Sequence, residues 1–326
     1  MPSIGEINEQ IDSMAIDGTL HDNIFQGTPV LELMDGRGQE VEGGETFYLD
    51  LEYNTMPVNV LPFGTRKIPT AVQRDVITRC YYTVGKFHTA LEWSEDDWIK
   101  IKGSKQGAAD WLNKRMNNVA KSLKNGISAH LWGGASNAGI YTFEDVFRQT
   151  GQFGNIDRGV ETWWLANVNS NNYTTPGTAT ALSIDAMQDA YLEFVENAGK
   201  QPDLIVTDKA VLRYYYSLRD ADTRYIDQLT MMSGGWKDDG LRFNGVPLTW
   251  DPKYPLVSTG NHSMTFFDFD TLFFVDITGY APLTYPVVPP DRDSQTYTKN
   301  IYLYMQMASS ALRNQTRLVD IDTTPA

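Results

Sequence analysis

One cysteine, Cys80, stands in 326 residues, so neither an internal disulfide framework nor an all-cysteine metal site is available. Positive charge is scarce too: 27 Lys and Arg face 41 Asp and Glu, a net charge of −14 with histidine neutral. Such a chain lacks the clustered cations from which sequence-independent phosphate binding draws its affinity, which excludes a histone-like grip on DNA. No apolar run approaches the ~18 residues of a membrane-spanning helix. The start, Met1-Pro2-Ser3-Ile4-Gly5-Glu6, lacks the basic-then-apolar order of a secretory signal, and the expected compartment is a reducing cytoplasm. What is present is the composition of a folded protein, 41% hydrophobic and 12% aromatic, in a length that fits about two domains.

The acidity is concentrated. Residues 1–60 carry twelve carboxylates against one base, Arg37, a net of −11 for that segment alone. Its first residues predict a short helix, because Ser3 and Glu6 fit a capping box and Ile4, Ile7, Ile11 and Met14 share a helical stripe. Gly18, Gly27 and Pro29 interrupt any longer helix, leaving an arm with too little apolar content to fold alone. Two strand-like stretches follow, Thr46–Tyr53 and Ala71–Leu91, separated by a Pro-rich segment from Met56 to Pro69; together they predict a long hairpin with an irregular tip. An isolated hairpin is marginal in water, so this projection needs a partner surface.

Residues 104–132 predict a long helix, with Leu112, Met116, Val119, Ala120, Leu123, Ile127 and Leu131 at three- and four-residue spacings and Gly133-Gly134 ending it. Its five bases, Lys105, Lys114, Arg115, Lys121 and Lys124, meet a single acid, Asp110. Loops and short strands are expected over 134–182. Then come a helix from Ser183 to about Asn197, a strand Asp203–Thr207, a helix from Asp208 to about Leu218, and a tight hairpin around Asn244-Gly245. Further strands are expected at Ser263–Phe269, Thr271–Asp276 and Gln295 to about Ala308, the last pairing with Leu312–Ile321.

No catalytic constellation is legible. Asp268-Phe269-Asp270 is the one spacing that resembles a metal-binding DxD site, and the more common reading of so short a motif is a solvated strand end. His21, His88, His130 and His262 are far apart and form no HExxH or HxH pattern; His130 beside an apolar stripe reads as a packing residue. Cys80 and His88, eight residues apart on one extended segment, are too distant to act as nucleophile and base. Gly133-Gly134-Ala135-Ser136-Asn137-Ala138-Gly139 follows a helix instead of leading from a strand into one, so it fails as a phosphate loop. The expectation is a protein that is not an enzyme and needs no cofactor or metal.

The order of features is more specific than any motif: an acidic arm, Gly43-Gly44-Glu45-Thr46-Phe47 opening a two-stranded extension, and a long helix closed by Leu131-Trp132-Gly133-Gly134. Gln201–Thr207 with a Tyr-rich helix, Leu241–Asp251 and Leu312–Arg317 complete it. This order resembles the major capsid proteins of tailed bacteriophages, which have the Hong Kong 97-type fold. The resemblance implies an α+β chain with an N-terminal arm at 1–35 and an extended loop at 36–92. It also implies a peripheral domain from 93–133 and 251–326, built on the spine helix 104–132, and an α/β axial domain at 134–250. It implies pentamers and hexamers in an icosahedral head around double-stranded DNA, assembled in a bacterial cytoplasm with a portal protein and a separate scaffolding protein, and no membrane. Lys67 is a crosslinking candidate by location only, and no crosslink is assumed. The expected subunit contacts pair the acidic arm (Glu6, Glu9, Asp12) with the spine helix and with the hairpin residues Pro62, Phe63, Arg66, Lys67, Arg74 and Arg79. The alternatives are an encapsulin-like nanocompartment and, more remotely, a metal enzyme using Asp268 and Asp270.

Overall fold

The computed structural model describes residues 29–35, 37–41, 44–54, 75–94, 96, 105–134, 139–222, 241–255, 261–278, 283–289 and 296–323. The helix expected at 3–14 and the contact residues Glu6, Glu9, Asp12, Pro62, Phe63, Arg66, Lys67 and Arg74 lie outside them. In chain order the helices are α1 (Pro29–Asp35), α2 (Lys105–Leu131), α3 (Phe143–Phe147), α4 (Ile184–Ala198) and α5 (Lys209–Asp222). The strands are β1 (Gln39–Val41), β2 (Thr46–Glu52), β3 (Ile77–Thr83), β4 (Gly85–Ser94), β5 (Gln152–Phe153), β6 (Ile156–Asp157), β7 (Asn167–Ser170) and β8 (Thr180–Ala181). After them come β9 (Leu204–Thr207), β10 (Arg242–Phe243), β11 (Val246–Trp250), β12 (His262–Phe267), β13 (Leu272–Ile277), β14 (Leu283–Thr284), β15 (Thr296–Ser309) and β16 (Thr316–Asp322).

Local chemistry explains several boundaries. Pro29 opens α1, where its missing N–H and fixed φ suit the first helical position; the sequence reading took this proline only as an interruption. Ser183 caps α4 through its side chain and Gly199, at φ 68°, closes it. The Asp208 carboxylate accepts from Ala210 N (2.7 Å) and Val211 N (2.9 Å), starting α5. Thr142 and Asp145 form a reciprocal capping box on α3, a helix inside the stretch expected to hold only loops and short strands. Asn244 (φ 49°) and Gly245 (φ 85°) make the two-residue turn between β10 and β11.

Two sheets carry the body. One contains β1, β13, β15 and β14, with β4 lying along β15; the other contains β10, β11, β9, β12, β16 and β7, with β8 added beside β16. The expected pairing of the last two strands does not occur. β15 pairs with β4 and β13, while β16 crosses to the other sheet and pairs with β12, β7 and β8. Likewise β12 and β13, four residues apart, belong to different sheets, so a division at 250/251 runs through the seven-stranded sheet.

That sheet separates two cores by the period-2 rule. Leu204, Val206 and Phe267 join the cluster that contains Leu123, Ile127 and Leu131 of α2. Ile205, Met264 and Phe266, the alternate residues, join the cluster under α4 and α5 with Met187, Phe194 and Val211. Strands buried on both faces lose the apolar–polar alternation: β9 (LIVT) is a nearly continuous apolar run, and β12 (HSMTFF) buries its polar residues His262, Ser263 and Thr265 with the apolar ones.

Candidate functional site

Two features qualify: the outer face of the hairpin and a polar joint between the sheets. β2 and β3 pair antiparallel from Thr46↔Thr83 to Glu52↔Ile77. The second hairpin stretch is two strands and not one. At Val84–Gly85 the chain leaves β2 and continues as β4 along β15, and a Cβ at Gly85 would lie 2.1 Å from Ile140 Cγ1, so only glycine fits beneath that side chain. Cys80 and His88 therefore sit on different strands.

The base of the hairpin is anchored. Leu51, Cys80 and Tyr82 are buried toward the body, the Tyr82 hydroxyl donates to Ser309 O (2.7 Å), and Phe47 meets Phe273 edge-on at 6.4 Å. Gln306, fully buried, donates to Thr83 O and Gly139 O (2.7 Å each) and accepts from Tyr141 N (2.8 Å), stitching the root of the hairpin to the body. The opposite face is bare: Tyr48 and Ile77 are each 60% exposed and Tyr81 39%. Between them Arg79 Nε donates to Asp50 Oδ1 (2.6 Å), so this base, expected to reach for the arm, is already paired across its own hairpin. Its carboxylate partner is held below the ordinary range, chiefly by that hydrogen bond. Cys80 is buried, which pushes its thiol up to about 11 and leaves it unreactive at neutral pH.

The Asp268-Phe269-Asp270 motif is the second feature. It is not a solvated strand end. Asp268 is fully buried at the passage from β12 to β13, and its carboxylate uses both oxygens. Oδ1 takes Lys200 Nζ (2.6 Å) and Asp270 N (3.0 Å); Oδ2 takes Asn314 Nδ2 (3.1 Å) and Thr271 Oγ1 (3.0 Å). Gln315, on the return passage from β15 to β16, accepts from Asp268 N (3.0 Å) and donates to Asp268 O (2.9 Å). Both crossings between the sheets are thereby bonded to each other.

Asp203, Asp268 and Asp270 offer oxygens within 4.8 Å of one another, but the chain supplies the cations itself. Arg37 Nη1 donates to Asp203 Oδ2 (2.7 Å) and Asp270 Oδ1 (2.8 Å), and Lys200 Nζ contacts Asp270 as well as Asp268. A metal would have to displace two bound cations. The Lys200 hydrogen bond is the main reason the Asp270 carboxyl is held below its ordinary range; the Lys200 ammonium is raised because its hydrogen bonds to Asp268 and Asp270 outweigh the effect of burial. Arg37 is the one base of the acidic first 60 residues, and it is spent here.

His21 lies outside the described residues, and the three histidines within them have partners. His130 Nε2 lies 3.1 Å from Ile140 O and its ring meets Phe87 edge-on, as a packing residue should; His88 Nε2 lies 3.0 Å from Asn300 Oδ1. His262 is buried between Asp208 and Thr323, a grouping invisible in the sequence because its members are 54 and 61 residues apart.

No protein-family model and no curated sequence matches the chain. Solved structures do. The capsid asymmetric unit of cyanophage A-1(L) superposes with a TM-score of 0.63 at 14% identity, over 90% of this chain and 93% of that one. The capsid of the native GTA particle gives 0.61 at 15% identity, over 88% and 89%. The holo-SrpI encapsulin complex from Synechococcus elongatus PCC 7942 gives 0.55 at 12% identity, over 91% and 92%. At such identities the likeness is one of fold, and the fold of this chain is the Hong Kong 97 type found in tailed-phage capsids.

Proposed function

We propose that the chain is a capsid shell subunit: a tailed-phage major capsid protein whose copies form the pentamers and hexamers of an icosahedral head around double-stranded DNA. The observation that carries this reading is the hairpin. One face of β2–β3 is riveted to the body, and on the other Tyr48, Ile77 and Tyr81 stand exposed among the described residues. Exposed apolar residues grouped on a projection mark a protein–protein contact, and the likeness in fold to a phage capsid over some nine-tenths of the chain supports reading that contact as one between copies.

On this reading 1–35 is the arm, 36–92 the extended loop, 93–133 with 251–326 the peripheral domain and 134–250 the axial domain. Arm carboxylates Glu6, Glu9 and Asp12 meet Arg66, Lys67 and Arg74 and the bases of α2 on neighbours. Arg79 contributes only by exchanging Asp50 for a neighbour's carboxylate. Contacts of this kind set register and encounter rate, and salt screens them. The net charge of −14 suits a container that does not grip its DNA. Scaffolding and portal functions fall to separate proteins.

Electron microscopy of particles from the producing host tests the reading. Closed polyhedral shells containing nucleic acid are expected. Shells of the same architecture filled with an enzyme would make the chain an encapsulin-like compartment, and a chain that stays monomeric at high concentration would overturn both.

A further inference from the structure

Three side chains at one end of the seven-stranded sheet are arranged as a proton relay. β9 and β11 run parallel, as do β16, β7 and β8, while β12 runs against both β9 and β16. The carboxyl ends of β9 and β16 and the amino end of β12 therefore meet, bringing together Asp208, Thr323 and His262. Sites in α/β sheets gather at strand carboxyl ends. His262 Nδ1 contacts Asp208 Oδ2, and Thr323 Oγ1 lies 3.2 Å from His262 Nε2.

The hydrogen bonds order the three side chains. Asp208 Oδ1 already accepts two backbone N–H groups of α5, so the carboxylate is an orienter locked in place. Nδ1–H of the imidazole can donate only to that carboxylate, and in the tautomer that carries its proton there Nε2 is an acceptor facing the Thr323 hydroxyl. Thr323 also lines a cavity of about 710 Å³ along α5, with Lys209, Arg213, Tyr214 and Ser217. Among the described residues neither Lys209 nor Arg213 makes an ion pair, so the cavity is cationic.

We propose that Thr323, His262 and Asp208 form an acyl-transfer site, with Thr323 as nucleophile, His262 as base and Asp208 as positioning residue, acting on small esters whose acyl part carries an anionic group held by Lys209 and Arg213. Thr323 Oγ attacks the acyl carbon while its proton passes to His262 Nε2. The bond to the leaving alcohol breaks, and that oxygen takes the proton from Nε2. Water then attacks the acyl-threonine, with its proton passing through Nε2 to the departing Thr323 oxygen, so that ester and water become acid and alcohol. This inference does not depend on the shell reading.

The test is labelling of the full-length chain with p-nitrophenyl acetate and with the p-nitrophenyl monoester of succinate. Release of p-nitrophenolate with an acyl group mapped by mass spectrometry to Thr323 is expected, faster for the succinate ester. Thr323→Ser should keep the label and Thr323→Val should lose it, both leaving the Asp208–His262 contact itself in place. His262→Gln should slow labelling ~10²–10⁴-fold, the usual worth of a positioned base. Replacing Lys209 and Arg213 together by Gln should lower the ratio of the succinate rate to the acetate rate toward one. A purely structural His262 would leave these rates unmoved. No adduct at Thr323 in the unaltered chain, or ester cleavage by Thr323→Val at the unaltered rate, would overturn the proposal even if His262→Gln failed to fold.

Discussion

Replacing Asp268 by alanine tests whether the joint holds the two sheets in register. Asp268 is fully buried and accepts from Lys200, Asn314, Thr271 and the Asp270 amide. Breaking a buried ion pair from one side costs about 3–5 kcal/mol, because the surviving charge loses its partner. Lys200 softens this loss: its side chain is 35% exposed and retains Asp270, so its ammonium can turn toward water. Asn314, only 9% exposed, cannot, and a stranded buried donor costs about 1–3 kcal/mol. These contributions share one network and do not add. The expected loss for Asp268→Ala is about 3–4 kcal/mol.

Asp268→Asn sharpens the test. Donors approach both carboxylate oxygens, so an amide placed there must turn its NH₂ toward donors whichever way it is flipped, and only the Thr271 hydroxyl can reverse its role. The isosteric change should therefore cost about 2 kcal/mol and not be neutral. Urea unfolding of the unassembled chain, followed by tryptophan fluorescence, should show a lower midpoint with unchanged slope. Combining Asp268→Ala with Lys200→Met should cost less than the two changes separately, with a coupling above ~1 kcal/mol. A loss below ~1 kcal/mol for Asp268→Ala would show that the crossings are held by the apolar cores alone and that the polar joint is incidental.

The other expectations concern the hairpin, the carboxylates and the thiol. Tyr48→Ser with Tyr81→Ser should leave the unfolding midpoint of the unassembled chain almost unchanged and reduce shell yield severely, as scored by sedimentation, since both side chains are exposed. Deleting residues 57–69 should give a folded subunit that does not close shells; normal shells would refute the role given to the hairpin. Assembly rates measured by light scattering should fall from low to high ionic strength, because exposed charges steer the encounter. Asp270 and Asp320 both have depressed pKa values: the Lys200 hydrogen bond leads for Asp270, and for Asp320 bonds from Ser170, Gly177 and Asn261 outweigh its burial. Their stabilisation is complete above the ordinary value of 3.8 and is lost as pH falls through the lower folded values, so acid titration should destabilise the chain below that point. Salt should shrink the share of the 60%-exposed Asp270 and spare that of the buried Asp320. Cys80, with its thiol raised to about 11, should resist iodoacetamide at pH 8 until the hairpin root opens.

Elements whose cause is local were legible in the sequence. The helix expected at 104–132 is α2, Lys105–Leu131, because its apolar spacing and its double glycine act within a few residues. The caps Ser183 and Asp208 and the Asn244-Gly245 turn are likewise short-range chemistry. What stayed hidden depends on distant partners. Nothing local in Leu312–Ile321 says that it will leave β15 for β12; the bonds that accompany the crossing run from Asn314 and Gln315 to Asp268, 46 and 47 residues away. The same distance hid the burial of Asp268, which as a short motif between apolar residues reads equally well as a strand end.

The charge distribution gains a mechanical meaning from the joint. A segment of −11 would repel the acidic body of its own chain, yet its single base, Arg37, sits on Asp203 and Asp270 at the point where both sheets meet. The segment is thus tied to the body at Arg37, beside Asp268. Arg37 also links residues 29–41 to the joint, since Asp270, one of its two partners, is held from the other side by Lys200. Arg37→Gln should therefore weaken two things together, the hydrogen-exchange protection of residues 29–41 and the coupling measured between Asp268 and Lys200. If exchange at 29–41 rose while the Asp268–Lys200 coupling stayed constant, the arm would be tied to the body but not to the joint, and the two sheets would be insulated from what the arm binds.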